Sequence, residues 1–366
     1  MRIFSKSYVL PSASTRLSKM ELAQAGKICD WAAHLINLRE NYIDQNSLDR
    51  AINHPAANWD TGSDIFTGYN AIATKKPDCL SMLRFFTQTF SGWQLGLAPG
   101  KGIPHTIPKN FDSYVLDLIK KSYLKNAWWL SRYRRLIALY PELSCLSFPI
   151  AFGESGLRND DGVLNHDTFV YLERIGLLKT AGVLNEINNR QRATILEIGS
   201  GFGALAYMMR QLVPKSTYIC VDIPESLIFA ALYLSRFNSK VCFVDENTDL
   251  STLTSYDFVF IPNYMFHRLV ESGLHVDLAI NTLSMSEMLE SQVNYYCEGL
   301  TRLLGKTGVF FEQNQNNTEL GFCFAKEIVA RIFNDSRDIK LPMMDLTQGT
   351  ATLWSNFLFK DKQRPR

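Results

Sequence analysis

A glycine-rich loop preceded by an acidic residue is the part of this sequence best suited to hold a ligand. Residues 194–198 have the apolar composition of a buried strand, Gly-Ser-Gly-Phe-Gly follows at 199–203, and a helical pattern begins at 204. Glycines let the backbone approach a ligand closely, and a helix N-terminus presents free N–H groups. A carboxylate two positions before the first glycine suits a cationic ligand and opposes a pyrophosphate. We therefore predict a site for a cationic ligand at Glu197, Gly199, Gly201 and Gly203.

Asp222 adds a second acidic group at the end of the next strand-like run. It closes residues 218–222, and Pro224 and Glu225 have the character of first helical residues. A carboxylate in this place can accept hydrogen bonds from both hydroxyls of a ribose. The alternative is that the glycines form only a tight turn and that Asp222 only caps a helix. The agreement of loop, acid and spacing favours a nucleoside ligand.

Further polar side chains follow other strand-like runs. Asn281 and Glu287 lie at and beyond the end of the run 278–281. Ligands of open α/β sheets lie at the carboxyl ends of the strands, so these two residues should line the same cleft as the glycine loop. Asn263 follows the run 257–261 and is predicted to contact the adenine of a nucleoside, with Asp245 as the alternative.

These motifs together resemble those of the sugar O-methyltransferases, a family of class I S-adenosylmethionine-dependent methyltransferases. The resemblance rests on residues 197–203, 221–225, 260–263 and 277–288, and it extends over residues 145–358. It implies S-adenosylmethionine as the cofactor and a sugar hydroxyl, in a nucleotide-sugar or a surface polysaccharide, as the acceptor. It also implies a Rossmann-like class I methyltransferase domain with a mostly parallel seven-stranded sheet whose last strand is antiparallel.

Methyl transfer to a hydroxyl needs a base, and two residues are candidates. Glu287 is the first, because it should lie at the mouth of the cleft. Ser284 and Glu287 also fit a capping box at the start of the following helix, and the two roles are compatible. His267 is the second, because its ordinary pKa suits a base, although a lone histidine is more often structural. Four other polar residues fit either the cleft or a solvated surface: Glu312, Asn314, Glu154 and His166.

Strand-like and helical patterns alternate from residue 193 onward, which predicts a parallel sheet with helices on both faces. The predicted strands are the seven runs 194–198, 218–222, 241–244, 257–261, 278–281, 309–312 and 350–357. From residue 19 to 140, apolar residues recur mostly at helical spacing. We therefore predict a mainly helical N-terminal domain, 1–190, that closes over a cofactor-binding domain, 191–360.

Composition limits the location and the metal content of the protein. The net charge is +2, and the seven cysteines show no paired or metal-ligand spacing. No apolar run approaches the ~18 residues of a membrane span. These features predict a cytoplasmic protein with free thiols and without a bound metal.

A basic segment at residues 101–140 holds eight Lys and Arg side chains against two Asp, interleaved with Trp and Tyr. It is either a solvated helix face over buried aromatics, a site for the phosphates of a nucleotide-sugar or anionic glycan, or a nucleic-acid site. The balanced charge of the whole chain disfavours nucleic acid, so a small-molecule or glycan substrate is predicted. The alternative functions are a methyltransferase for another small metabolite and a non-catalytic cofactor-binding module.

Overall fold

The computed structural model describes residues 8–9, 19–55, 128–146, 156–159, 162–237, 239–342 and 346–356. Glu154 lies outside these residues, as do Lys120, Lys121 and Lys125 of the basic segment. Among the residues described, no helix is long and apolar enough to cross a membrane. In the same part of the chain, no group of three or more His, Cys, Asp or Glu side chains is placed to hold a metal ion.

Strands and helices alternate along most of the described chain. The strands are β1 (Tyr8–Val9), β2 (Gly156–Asn159), β3 (Gly162–Leu164), β4 (Ala193–Ile198), β5 (Ser216–Asp222), β6 (Val241–Phe243), β7 (Phe258–Pro262), β8 (Leu278–Thr282), β9 (Val309–Gln313), β10 (Asp335–Ile339) and β11 (Ala351–Ser355). The α-helices are α1 (Lys19–Gln45), α2 (Arg50–Asn53), α3 (Trp128–Leu139), α4 (His166–Thr180), α5 (Val183–Asn188), α6 (Ala204–Leu212), α7 (Pro224–Leu234), α8 (Phe266–Glu271), α9 (Glu290–Leu304) and α10 (Ala325–Ile332).

The strands form two sheets. β1, β2 and β3 make a small antiparallel sheet. The other eight make one sheet in the order β10-β11-β9-β8-β4-β5-β7-β6, in which every pair is parallel except those that β11 makes with β9 and β10. Helices cover both faces, as the crossover connections of a parallel sheet require. The prediction of a Rossmann-like α/β domain with an antiparallel last strand is confirmed.

The large sheet has one strand more than the seven predicted. The runs near 241 and 258 both form strands, and the additional strand is β10. Its sequence is Asp-Ser-Arg-Asp-Ile, and only its last residue is buried. β10 lies at the edge of the sheet and has no apolar alternation, so its sequence contains no strand signal.

Alternate residues of the central strands pack against different helices. Ile195 and Tyr218 belong to a core that includes apolar residues of α4, α6 and α7. Leu196 and Ile219 belong to a second core with α8, α9 and α10. β4 is buried along its whole length, as expected of a central parallel strand. Glu197 is its only charged residue, so the burial of this carboxylate needs an explanation beyond packing.

α1 packs on α7 and is attached to α7 and to the turn after β7 by buried polar contacts. Tyr264 donates a hydrogen bond from its hydroxyl to Leu35 O at 2.9 Å. Arg39 Nη2 donates to both carboxylate oxygens of Glu225 at 2.6 and 2.5 Å, and both side chains are buried. These contacts join the helical N-terminal part to elements that flank the sheet, while the domain boundary at 190 stays a prediction.

We expect Arg39→Met to lower the melting temperature strongly, because it leaves the Glu225 carboxylate buried without a partner. Loss of one member of a buried ion pair costs about 3–5 kcal/mol. The control is Arg50→Met, which removes exposed ion pairs with Glu40 and Asp44 and should change the melting temperature little. Thermal denaturation measures both variants. Equal melting temperatures for Arg39→Met and the wild type would show that this pair does not hold α1 in place.

Candidate functional site

The glycine loop 199–203 lies at the carboxyl end of β4, which has β5 on one side and β8 on the other. The strand order reverses here, and ligands of open α/β sheets bind at such a point. Gly199 N–H donates to Val221 O at 2.8 Å, and Gly203 N–H donates to Ser200 O at 3.0 Å. α6 begins directly after the loop, as predicted.

Gly199 packs directly against Ser284, which belongs to the turn after β8. Gly199 has a φ of +78°, and a β-carbon at this position would lie 2.2 Å from Ser284 Oγ. The same hydroxyl donates to Ile198 O at 3.2 Å. Gly203 is also enclosed, since a β-carbon there would lie 2.9 Å from the side chain of Leu234 in α7. Both glycines are therefore needed for packing within the protein, apart from any ligand.

Asp222 ties the glycine loop to the start of α7. Its Oδ2 accepts hydrogen bonds from Gly201 N–H at 3.1 Å and from Ser226 Oγ at 3.0 Å, and its Oδ1 accepts from Ile223 N–H at 2.8 Å. Burial raises the pKa of Asp222 to about 6, although these hydrogen bonds lower it. Three of about four acceptor positions of the carboxylate are used, which leaves one position at Oδ1. Asp222 therefore holds the glycine loop against the first residues of α7, although it does not cap the helix, and one acceptor position remains.

Glu197 is a buried carboxyl group on the face of β4 that α4 covers. The Tyr218 hydroxyl donates to its Oε2 at 2.8 Å. Burial raises the pKa of Glu197 to about 7, while the hydrogen bond from Tyr218 and the positive charge of Arg174 lower it. An acid with a pKa near neutrality at the ligand edge of a sheet is typical of a functional site.

Asn281 lies at the centre of a buried hydrogen-bond network at the carboxyl ends of β8 and β9. Its Nδ2 donates to Ile198 O at 2.9 Å and to Ser284 Oγ at 2.6 Å, and its Oδ1 accepts from Asn314 Nδ2 at 2.8 Å. Asn314 Nδ2 also donates to Glu312 Oε1 at 2.9 Å. Asn281, Asn314 and Glu312 are buried, so Glu312 and Asn314 are not solvated surface residues, the alternative to a place in the cleft. Contact of Asn281 with a cofactor stays a prediction.

The capping box predicted from Ser284 and Glu287 is wrong. Residues Ser284–Glu287 form a 3₁₀ turn, and α9 begins only after Leu289. The third helical residue is Gln292, whose Oε1 accepts from Leu289 N–H at 3.0 Å. Glu287 is partly exposed in the turn, and its role as the base stays a prediction.

His267 and Asn263 lie beyond β7 and contact α1 and α2. His267 Nδ1 lies 3.2 Å from Tyr264 O, and its Nε2 lies 3.5 Å from the Tyr42 hydroxyl. Burial lowers the pKa of His267, which favours the neutral imidazole. Asn263 is buried and donates from Nδ2 to Asn53 O at 2.8 Å, while its Oδ1 has no hydrogen-bond partner among the described residues. The roles of His267 in catalysis and of Asn263 at adenine stay predictions.

α4 covers the glycine loop, and two side chains on it were missed from the sequence. The ring of Tyr171 meets the ring of Phe202 in the loop edge to face, with 6.4 Å between centroids. The buried guanidinium of Arg174 lies 5.5 Å from the centre of the Tyr171 ring. His166, at the start of the helix, is buried too. The signal that could have found Tyr171 and Arg174 is their i, i+3 spacing, which places both on one face of the helix.

The basic segment is described only over α3 and its neighbours. Tyr133 is buried, whereas Arg134 and Arg135 are exposed. Arg132 Nη1 donates to Thr347 Oγ1 at 3.3 Å. This part of the segment fits the interpretation of a solvated helix face over buried aromatics.

Similarity to known proteins is found in the fold of the chain and not in its sequence. No protein-family model and no curated protein matches the sequence. The N-methyltransferase NodS of Bradyrhizobium japonicum, solved with S-adenosylhomocysteine, is 12% identical over 50% of this chain and 87% of its own, at a TM-score of 0.34. An O-methyltransferase family protein of Burkholderia thailandensis is 10% identical over 52% of this chain and 60% of its own, at a TM-score of 0.33. Human N-acetylserotonin methyltransferase, solved with S-adenosylmethionine, is 14% identical over 51% of this chain and 55% of its own, at a TM-score of 0.31. Similarity at this level says nothing about the acceptor.

We expect Gly199→Ala to destabilise the protein much more than Gly273→Ala. Both glycines have positive φ, +78° and +70°, so both substitutions bring the strain of about 1–2 kcal/mol that a side chain causes in this conformation. Only at Gly199 does the new methyl group also meet Ser284, because nothing lies within 4 Å of a β-carbon at Gly273. Thermal denaturation compares the two. Equal decreases in melting temperature would mean that Ser284 moves aside without a loss of stability.

Proposed function

We propose that this protein is an S-adenosylmethionine-dependent O-methyltransferase that acts on a sugar hydroxyl. The proposal is carried by Glu197 and Asp222, two acidic groups on either side of the glycine loop at the point where the strand order reverses. They suit a ligand that combines positive charge with a ribose. S-adenosylmethionine has both, since it bears a sulfonium and an ammonium group on an adenosine. A dinucleotide would instead bring its negative pyrophosphate towards Glu197.

Groups whose hydrogen-bonding capacity is incomplete match the adenosine part of this cofactor. Asp222 retains one acceptor position at Oδ1, which suits one ribose hydroxyl rather than the two expected from the sequence. Pro262 pairs with Asp222 across β5 and β7, so Asn263 follows at the same edge of the sheet. The unpartnered Oδ1 of Asn263 suits the amino group of adenine, which is a hydrogen-bond donor.

The bound cofactor supplies a methyl group on a positively charged sulfur, so the protein has to orient the acceptor hydroxyl and take its proton. Glu287 is the proposed base, because its turn packs on the glycine loop through Ser284. The buried network of Asn281 and Asn314 supports that turn, since Asn314 Oδ1 accepts from Ser286 N–H at 3.1 Å. The sugar itself is proposed from the resemblance of the sequence motifs.

Binding and product formation test the proposal separately. We expect S-adenosylhomocysteine to bind with micromolar affinity in calorimetric titration. With methyl-labelled S-adenosylmethionine, label should move to a nucleotide-sugar or a free sugar and not to an amine. Transfer to a non-sugar metabolite would correct the acceptor, and binding without any transfer would favour a non-catalytic module. Absence of binding would overturn the proposal.

The affinity for S-adenosylhomocysteine should rise with pH. The pKa of Asp222 is raised to about 6 and that of Glu197 to about 7, so both carboxyl groups are largely neutral at pH 5.5 and mostly ionised at pH 7.5. The ionised carboxylate of Glu197 attracts the ammonium group and that of Asp222 accepts more strongly from the ribose, so we expect at least about tenfold tighter binding at the higher pH. Titrations at both pH values measure this, and Glu197→Gln should flatten the difference. The same affinity of the wild type at both values would contradict a role for these two acids.

We expect Glu287→Gln to reduce turnover by about 10²-fold, because the amide cannot take the acceptor's proton. Affinity for S-adenosylhomocysteine and melting temperature should stay close to those of the wild type, because glutamine keeps the size of the side chain and much of its hydrogen-bonding capacity. The control is Glu290→Gln, which removes only an exposed ion pair with Arg331 and should keep full turnover. Full turnover of Glu287→Gln in steady-state kinetics would make His267 the leading candidate.

A further inference from the structure

Arg174 of α4 is buried with part of its hydrogen-bonding capacity unused. The described residues include two buried arginines, and the other, Arg39, donates to both oxygens of Glu225. Arg174 donates from Nε to Gln313 Oε1 at 3.2 Å and forms no ion pair within the described part of the chain. Its Nη2 is buried and has no hydrogen-bond partner there. Burying a cation with an unused donor costs free energy, which a ligand could offset.

The guanidinium of Arg174 is held in one orientation by its neighbours. The Tyr171 ring lies 5.5 Å away on the same helix, and Tyr171 in turn contacts Phe202 of the glycine loop. Gln313, which accepts from Nε, is itself fixed by a hydrogen bond from its Nε2 to Gly349 O at 3.2 Å. The side chain is therefore positioned before any ligand binds, which lowers the entropy cost of binding.

Strand register places Arg174 on the same face of the sheet as Glu197. Glu197 pairs with Ile280 of β8, and Ile280 pairs with Phe311 of β9. Gln313 is two residues beyond Phe311, so its side chain points to the same face but lies nearer the carboxyl edge. Burial lowers the pKa of Arg174, and the charge of Glu197 acts against that shift, so the two charges interact although they form no ion pair. One positive and one negative group thus lie apart from each other beside the glycine loop.

We propose that Arg174 binds the α-carboxylate of S-adenosylmethionine while Glu197 binds its α-ammonium group. This inference rests on the proposed function and assigns the end of the cofactor opposite to adenine. An amino acid needs two opposite charges that are not already paired with each other, and Arg174 and Glu197 meet that requirement. A guanidinium is also the side chain best suited to a carboxylate, because its N–H groups match the two oxygens.

Decarboxylated S-adenosylmethionine is the matched probe, since it lacks only the carboxylate. We expect the wild-type protein to bind S-adenosylmethionine about 10- to 100-fold more tightly than this analogue, the range typical of a hydrogen bond to a charged group. Arg174→Gln should bind S-adenosylmethionine correspondingly more weakly, because the amide retains no positive charge. Its affinity for the decarboxylated analogue should stay within about threefold of the wild-type value. Calorimetric titration of the full chain gives all four constants.

Two variants separate ligand binding from a structural role. Arg174→Lys keeps the charge but not the planar fork, so its preference for the carboxylated ligand should be intermediate. Glu173→Gln alters the adjacent buried residue, whose carboxylate accepts from Thr347 N–H and Oγ1 at 2.8 Å each. It should lower the melting temperature and leave the preference between the two ligands unchanged.

The outcomes distinguish this inference from the proposed function. If the wild type binds neither ligand, the proposed function and this inference are both overturned, and the wild-type titrations alone show it. A second outcome is that the wild type binds S-adenosylmethionine while Arg174→Gln weakens the binding of both ligands equally, or of neither. In that case Arg174 only stabilises the fold, and the inference alone is overturned. Selective loss of the preference for the carboxylated ligand supports it.

Discussion

The candidate site depends on one close contact, in which Ser284 lies against Gly199 and leaves no space for a β-carbon. The contact joins the loops that follow two neighbouring parallel strands, β4 and β8. Ser284 and Asn281 both donate to the carbonyl of Ile198, so moving either loop would leave buried polar groups without partners. Leu283 has a φ of +67°, unusual for a residue with a side chain, and turns the chain just before Ser284. This strain lies where the cleft is built, as is common at functional sites.

Buried carboxyl groups accumulate at the same edge of the sheet. Burial raises the pKa of Glu197 and Glu312 to about 7 and that of Asp222 to about 6, and in each case outweighs the hydrogen bonds that lower it. Asp257 differs, because its pKa lies below the ordinary value. Burial raises this pKa, but the hydrogen bond from Lys240 N–H and the charge of Arg210 lower it by more. Glu197, Glu312 and Asp222 form no ion pair with any described residue, which favours a ligand that brings positive charge.

The N-terminal helices complete the other end of the site. Asn53, the last residue of α2, accepts from Asn263 through its backbone carbonyl. Gln292, in the first turn of α9, donates to the carbonyls of Ile52 and His54 at 3.1 and 2.7 Å. The proposed adenine side of the cleft is therefore built from both predicted domains. A cofactor bound there would contact groups whose positions depend on the packing of α1 and α2 as well as on the sheet.

Most strands, the glycine loop and Asp222 could be predicted from the sequence, because each depends on residues that are close together in the chain. Apolar runs, glycines and an acid at the end of a run carry this information locally. What the sequence alone could not determine depends on distant segments. Ser284 has the type and spacing of a helix cap, but packing against Gly199 gives its hydroxyl other partners. The sequence shows Arg174 only as one polar residue of a helix. The fold buries it on the same face of the sheet as Glu197, because desolvation and hydrogen-bond partners are set by neighbours that only tertiary structure brings together.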